Sequence, residues 1–297
     1  VLAVGVLVSG VVSAEAAQAA SGPSGVTAKG GYLLDSGPNR GLWSKTADTK
    51  RQMASTTKIM TANVVLSTPG LNLNRKVTIK QAYRDYVYRE GASTADLRTG
   101  DKVTVRQLLW AMLLPSGCDA AFALADTFGS GSSTAARRAS FIGKMNSKAR
   151  SLGMTRTKYD SFDGISAAGN NYTTPRDMAK LARSAMKSGT FKSIVKTTKT
   201  QQTATASNGN SRRYTWHSTN QLLGSYRGAI GIKTGTGTSA GPCLVFAATK
   251  GSRTVVGVIL NDANRYRSAA RMLDWAFGRR SAPTMKLRQL PAGAQRD

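Results

Sequence analysis

Cysteine is scarce in this chain of 297 residues, confined to Cys118 and Cys243. An exported protein could pair them, but sequence supplies no geometry for a bridge, and Cys118 lies inside the motif Ser116-Gly117-Cys118. Two free thiols are expected. Acidic residues are also few, 15 against 42 Lys and Arg, which leaves a formal charge of +27. Such an imbalance attracts polyanions. No zinc-ligand cluster or nucleic-acid motif accompanies it, so neither a metal, another cofactor nor nucleic acid is expected. The charges are dispersed, which an ordinary solvated basic surface also gives. Long apolar runs are confined to Val1 to Ala20, VLAVGVLVSGVVSAEAAQAA, where small-residue sites such as Ala17-Gln18-Ala19 follow an apolar stretch. That is the pattern of a secretory signal peptide, though no basic segment precedes it, so either its start is truncated or the match is weaker, with a buried strand or helix as the alternative. No other segment approaches the roughly 20 apolar residues needed to cross a bilayer. The mature chain is expected to be secreted, soluble and monomeric. At the cell wall or the outer membrane surface, anionic wall polymers or lipid headgroups become the partners of its charge.

With 40% hydrophobic residues the chain can bury a substantial core. Gly31 to Asp35 reads as a strand, Ser36 to Asn39 as a turn, and Gly41 to Lys45 as a second strand. Thr56 to Leu66 is apolar on most sides, as a core helix is, and closes at Pro69-Gly70. Val105 to Leu114, capped by Thr104, must stop at Pro115, and another helix runs from Asp119 to Phe128. Helical patterns return over Phe141 to Leu152 and Arg176 to Met186, and Thr197 to Arg213 reads as an exposed hairpin or loop. Short β-rich runs at Ala229 to Thr236, Cys243 to Thr249 and Thr254 to Leu260 precede a last helix, Arg265 to Phe277. This order predicts an α+β fold: an antiparallel sheet built from both chain ends with flanking helices, plus a mainly helical inserted subdomain. The domain is expected over 24–280, with sheet at about 28–70 and 215–280, the helical insertion at about 78–195, and a basic tail over 281–297.

Three motifs stand along this framework: Ser55-Thr56-Thr57-Lys58, Ser116-Gly117-Cys118 and Lys233-Thr234-Gly235. Serine is a weak nucleophile at its own pKa and needs a neighbouring base. Lys58, three residues on along one helix face, is within reach of Ser55. To accept a proton it must be neutral part of the time, and burial and the charge of Lys233 both favour that form. Ser116 can relay a proton to a leaving amine. Lys233, Thr234 and Thr236 offer a cation and hydroxyls to a substrate carboxylate, and Gly235 lets substrate backbone lie along the strand. The N–H groups of Ser55 and Thr236 form the expected oxyanion hole. Arg265 is a further carboxylate candidate, read chiefly as a surface charge at a helix start.

Ser-x-x-Lys alone is uninformative, because Ser184-Ala185-Met186-Lys187 and Ser193-Ile194-Val195-Lys196 match it too. Only the first copy starts a core helix and precedes the other motifs. Gly237-Thr238-Ser239-Ala240-Gly241 imitates the Gly-x-Ser-x-Gly elbow, which requires a following helix and a later histidine. Here Pro242 to Phe246 reads as a strand, and the one histidine, His217, comes earlier. His217 is read as structural or superficial.

The chain resembles the low-molecular-mass penicillin-binding proteins, serine-type D-alanyl-D-alanine carboxypeptidases and transpeptidases of the β-lactamase/transpeptidase-like fold. The likeness runs from about Gly31 to Phe277, through Ala54-Ser55-Thr56-Thr57-Lys58-Ile59-Met60, Leu114-Pro115-Ser116-Gly117-Cys118-Asp119, Tyr172-Thr173-Thr174-Pro175-Arg176-Asp177 and Gly231-Ile232-Lys233-Thr234-Gly235-Thr236. It implies acyl transfer from a peptidoglycan D-Ala-D-Ala stem peptide through a Ser55 acyl-enzyme, and covalent inhibition by β-lactams. Most of the family has asparagine where this chain has Cys118. Cysteine there resembles the exported actinobacterial DD-transpeptidases, which implies an amine acceptor preferred over water. A thiol donates and accepts hydrogen bonds more weakly than an amide, so Cys118, a substrate-binding candidate, bears on positioning and hydrolysis.

Two rivals are weighed. A β-lactamase with these motifs deacylates through a glutamate after the second motif. Glutamate occurs here only at Glu15 and Glu90, both before Ser116. A non-catalytic, basic wall-binding protein on the same fold is opposed by intact Ser55, Lys58, Ser116 and Lys233.

Overall fold

The computed structural model describes residues 22–295; the signal-peptide segment lies outside them. Antiparallel pairing assembles a five-stranded sheet from both ends of the chain. Its order is β2 (Arg40–Lys45), β1 (Gly30–Asp35), β11 (Arg253–Leu260), β10 (Cys243–Lys250) and β9 (Ala229–Gly235). β1 and most of β10 and β11 are buried on both faces, so these strands read as continuous apolar runs without alternation. One face is covered by α8 (Arg265–Phe277), which buries Ala269, Met272, Leu273 and Phe277 against Leu33, Leu244, Phe246 and Ile259. The other face carries α6 (Pro175–Ala185), whose N-cap Thr174 accepts from the Asp177 N–H at 3.2 Å.

Between these strands lies the helical part of the chain. A short strand β3 (Arg51–Gln52) leads into a 3₁₀ turn, Ala54–Thr57, continuous with α1 (Lys58–Leu66). α1 is buried nearly all round and packs against α3 (Val105–Leu113), α4 (Cys118–Phe128), α5 (Thr134–Ser151) and α6. The expected cap on α3 is present as a reciprocal pair. Thr104 Oγ1 accepts from the Gln107 N–H at 3.2 Å, and Gln107 Oε1 from the Thr104 N–H at 2.9 Å. α3 ends at Leu113, two residues before Pro115.

Several elements depart from the sequence expectation. α2 (Gln81–Glu90) was not anticipated: its sequence is charged and tyrosine-rich, and it buries only Tyr83 and Tyr86. α5 begins at Thr134, capped by Ser133, seven residues earlier than the apolar pattern indicated, because its first two turns are basic and exposed. The segment expected as an exposed hairpin forms β7 (Lys199–Thr205) and β8 (Ser211–His217). It joins β4 (Lys76–Thr78) and β5 (Lys102–Thr104) in a second sheet of order β4-β5-β7-β8. The remaining elements are β6 (Tyr172–Thr173), paired with β3, and α7 (Gly189–Val195). Among the described residues no helix is long and apolar enough to cross a membrane.

Candidate active site

Ser55 is held in a turn that little else could occupy. Ala54 before it has φ +45°, a left-handed conformation that costs a non-glycine residue about 1 kcal/mol or more. Two close backbone approaches keep the turn in place. A Cβ on Gly235, at the end of β9, would lie 2.8 Å from Ser55 N, and one on Gly164 would lie 2.1 Å from Ala54 O. Gly164 also has φ +106°, so glycine is required there twice over. The 3₁₀ turn is thus clamped between a strand and a loop.

Lys58, the first residue of α1, is fully buried. Its Nζ lies 2.8 Å from Ser55 Oγ and donates to Asp163 O at 3.0 Å. The i, i+3 spacing therefore brings the Ser55 and Lys58 side chains into contact. Asp163 was not legible as part of the site, although Asp163-Gly164 is a recognisable turn pair. Its backbone orients the amine, while its carboxylate accepts from Tyr86 OH at 2.8 Å and from the Ile165 N–H at 3.0 Å. Tyr86 comes from α2, the helix that sequence reading missed.

Ser116 sits between α3 and α4 with φ +66°, fully buried, and among the described residues its Oγ has no hydrogen-bond partner. A buried hydroxyl left unpaired costs roughly 1–3 kcal/mol, the kind of cost that functional groups carry. Cys118 begins α4 and donates its N–H to Ser93 O at 2.8 Å. Burial pushes its thiol well above the ordinary range, with Lys58 pulling the other way. Burial thus favours the protonated thiol. Asp119 next to it accepts from the N–H groups of Ala95, Leu97 and Ala120 at 2.9–3.0 Å, fixing the 94–97 loop to the start of α4. Both Cys118 and Cys243 are free and buried, as expected, and burial raises the Cys243 thiol to about 11.

The third motif occupies the C-terminal end of β9, in register with β10: Lys233 faces Val245, Thr234 faces Leu244 and Gly235 faces Cys243. Lys233 is 1% exposed and its Nζ donates to Thr234 O at 3.1 Å. Thr234 Oγ1 is 2.6 Å from Thr219 Oγ1. Thr236 is exposed at the strand end. Arg265 corrects the reading of it as a surface charge. It is buried, and its Nη1 donates to Gly235 O at 3.1 Å, Thr236 Oγ1 at 2.9 Å and Cys243 O at 3.3 Å, tying the motif to α8. No local signal separates such a residue from a helix-start arginine. His217 ends β8, and burial with the nearby Lys199 and Arg288 charges favours its neutral form.

Ser55, Cys118 and Thr236 line a cleft of about 410 Å³, together with Gly164 to Ser166, Gly237 to Ala240 and the 90–93 loop. Lys58, Ser116, Lys233, Thr234 and Gly235 are buried and do not line it. Glu90, placed before Ser116 in sequence, does reach the cleft rim, where Arg89 Nε donates to its carboxylate at 3.0 Å. Sequence order alone did not keep that carboxylate away.

The family described as D-alanyl-D-alanine carboxypeptidase, peptidase S11, matches residues 15–264. A D-alanyl-D-alanine carboxypeptidase of Streptomyces sp. strain K15 is 51% identical over 275 residues, which cover 91% of this chain and 94% of that protein. The crystal structure of the Streptomyces K15 DD-transpeptidase superposes with a TM-score of 0.85 at 52% identity, covering 87% of this chain and 99% of that one. The carboxypeptidase DacC of Escherichia coli is 33% identical over 270 residues, 88% of this chain but 64% of the longer relative. With the clamped Ser55–Lys58 pair and these likenesses together, the chain belongs to the D-alanyl-D-alanine carboxypeptidase family of serine peptidases.

Proposed function

We propose that this chain is a serine-type D-alanyl-D-alanine carboxypeptidase and transpeptidase that acts on peptidoglycan stem peptides and is trapped by β-lactams. The observation that carries the reading is the 2.8 Å contact between Ser55 Oγ and the fully buried Lys58 Nζ. Lys58 Nζ takes the hydroxyl proton as Oγ attacks the carbonyl carbon of the penultimate D-Ala. The N–H groups of Ser55 and Thr236 stabilise the oxyanion. As the C–N bond breaks, Ser116 passes the proton from Lys58 to the departing amine of the terminal D-Ala, leaving an ester on Ser55. An acceptor amine, or water, then attacks that ester and regenerates the hydroxyl.

Thr236 meets the terminal carboxylate at the cleft wall, with Lys233 and Thr234 completing that site from beneath it, Gly235 letting the substrate backbone lie against the strand and Arg265 holding that strand end in place. Cys118 sits where an asparagine amide would grip substrate and water more firmly, which favours transfer over hydrolysis. The sheet region and the helical insertion meet at this cleft, and the enzyme works outside the cytoplasm after loss of the 1–20 segment. Product analysis on a D-Ala-D-Ala peptide, with and without a glycine-type amine, tests the reading. Release of D-Ala with formation of the transfer product is expected; no turnover in either condition contradicts it and favours the inert wall-binding fold.

A further inference from the structure

A larger cavity, about 680 Å³ against about 410 Å³ for the cleft, shares no lining residue with it. It opens between the β1–β2 turn, the β10–β11 turn and the α6–α7 pair. Arg183, Lys187, Lys192, Lys196 and Arg253 line it, against one carboxylate, Asp35. Arg253 Nε donates to Asp35 at 2.7 Å and Arg183 Nε to Ser36 O at 2.8 Å, so the single negative charge is already matched and these two arginines form a fixed wall. Lys187, Lys192 and Lys196 are exposed, and among the described residues none of them makes an ion pair. Three like charges around one concavity repel one another, and an anion relieves that repulsion.

The other lining groups narrow the class of anion. Pro38, Met186 and Ile230 supply apolar surface between the charges, and Ser36, Thr249, Ser252 and Thr254 supply hydroxyls. Among the described residues no aromatic side chain lines the cavity, so bases of a single-stranded nucleic acid find nothing there to stack on. A lone carboxylate leaves most of the cations unmatched. Repeated phosphates separated by short carbon segments satisfy charge, hydroxyls and apolar floor together. We propose that this cavity binds a soluble polyol-phosphate chain, holding the enzyme to a phosphodiester polymer away from its catalytic cleft. Its binding does not depend on the acyl-transfer reading.

Fluorescence anisotropy with a labelled poly(glycerol phosphate) oligomer, at about 0.15 M salt to screen diffuse attraction, tests this directly. The variant K187A/K192A/K196A is compared with a charge-matched control, K76A/K102A/K158A, whose lysines lie outside the cavity. Unfolding curves and penicillin acylation confirm that both fold. The cavity variant is expected to bind roughly tenfold or more weakly, and the control to bind like wild type. Equal losses in both variants overturn the proposal in favour of diffuse surface charge. Phosphatidylglycerol vesicles form the second arm: cavity substitutions that weaken vesicle binding while leaving oligomer binding intact overturn the polymer in favour of a lipid headgroup.

Discussion

At the scale of single residues, Lys58 and Lys233 are both almost fully buried, yet each is assigned a different partner: a hydroxyl proton for one, a substrate carboxylate for the other. Lys58→Ala and Lys233→Ala are each expected to lower the rate of acylation by labelled penicillin about 10²- to 10⁴-fold in stopped-flow measurements. A near-wild-type rate in either variant removes that lysine from the mechanism. For Cys118→Asn, the ratio of hydrolysis to transfer on a D-Ala-D-Ala peptide should rise, and an unchanged ratio leaves the thiol without a part in acceptor choice. Glu90 on the cleft rim raises the question of deacylation. The penicilloyl ester is expected to persist equally in wild type and Glu90→Gln; fast turnover lost in the variant makes Glu90 a deacylating base. The motif residues were legible because their chemistry is local to three short segments. Asp163 was not, and Arg265 stood out only as a carboxylate candidate read chiefly as a surface charge, because each acts through partners 22 or more residues away, Asp163 on α1 and Arg265 on β9 and β10.

At the scale of elements, the decisive contact is β9 against the 3₁₀ turn that carries the nucleophile. A methyl group on Gly235 meets Ser55 N at 2.8 Å and Thr56 N at 3.0 Å, both backbone atoms, so strand or turn must move by several tenths of an ångström. Gly235→Ala is expected to slow acylation by up to roughly 10²-fold, the cost of a displacement near 1 Å at a reacting group. Wild-type acylation in this variant contradicts the clamp. Apolar periodicity marked α1, α3, α4, α6 and α8 because each presents carbon to a core. It did not mark α2, which is anchored through Tyr83 and Tyr86 rather than through an aliphatic stripe, with Tyr86 OH reaching Asp163. Pairing of the β7–β8 hairpin with β5 was equally hidden, since a polar two-stranded segment has no side-chain pattern that names its neighbour.

At the scale of the molecule, the helical part is joined by a carboxylate that no motif contains. Asp126 on α4 accepts from Lys80 at the N-cap of α2 at 2.7 Å, from Tyr83 OH at 2.6 Å and from Arg137 on α5 at 2.6 Å. Burial alone would raise its pKa, but the bonds from Arg137, Lys80 and Tyr83 outweigh burial and hold it below its ordinary value of 3.8. A depressed carboxylate contributes stability that is full above its unfolded pKa and is lost as pH falls through its folded one. Asp126→Asn should therefore cost about 2 kcal/mol near neutrality. In denaturant titrations that deficit should shrink below about pH 4; a deficit that stays constant with pH contradicts an ionised Asp126. The order of strands and helices already implied a sheet closed by both termini, because strand patterns stand at both ends of the chain with helical patterns between them. The second sheet did not follow from that order, because its strands are short or polar.

The proposed chemistry rests on one covalent bond, the ester at Ser55. Intact-protein mass spectrometry after incubation with benzylpenicillin tests it most directly, followed by peptide mapping of the modified residue. One penicilloyl adduct, located at Ser55 in the wild type and absent from Ser55→Ala, is the predicted result. An unmodified wild type, or equal labelling of Ser55→Ala, contradicts the assignment of Ser55 as nucleophile.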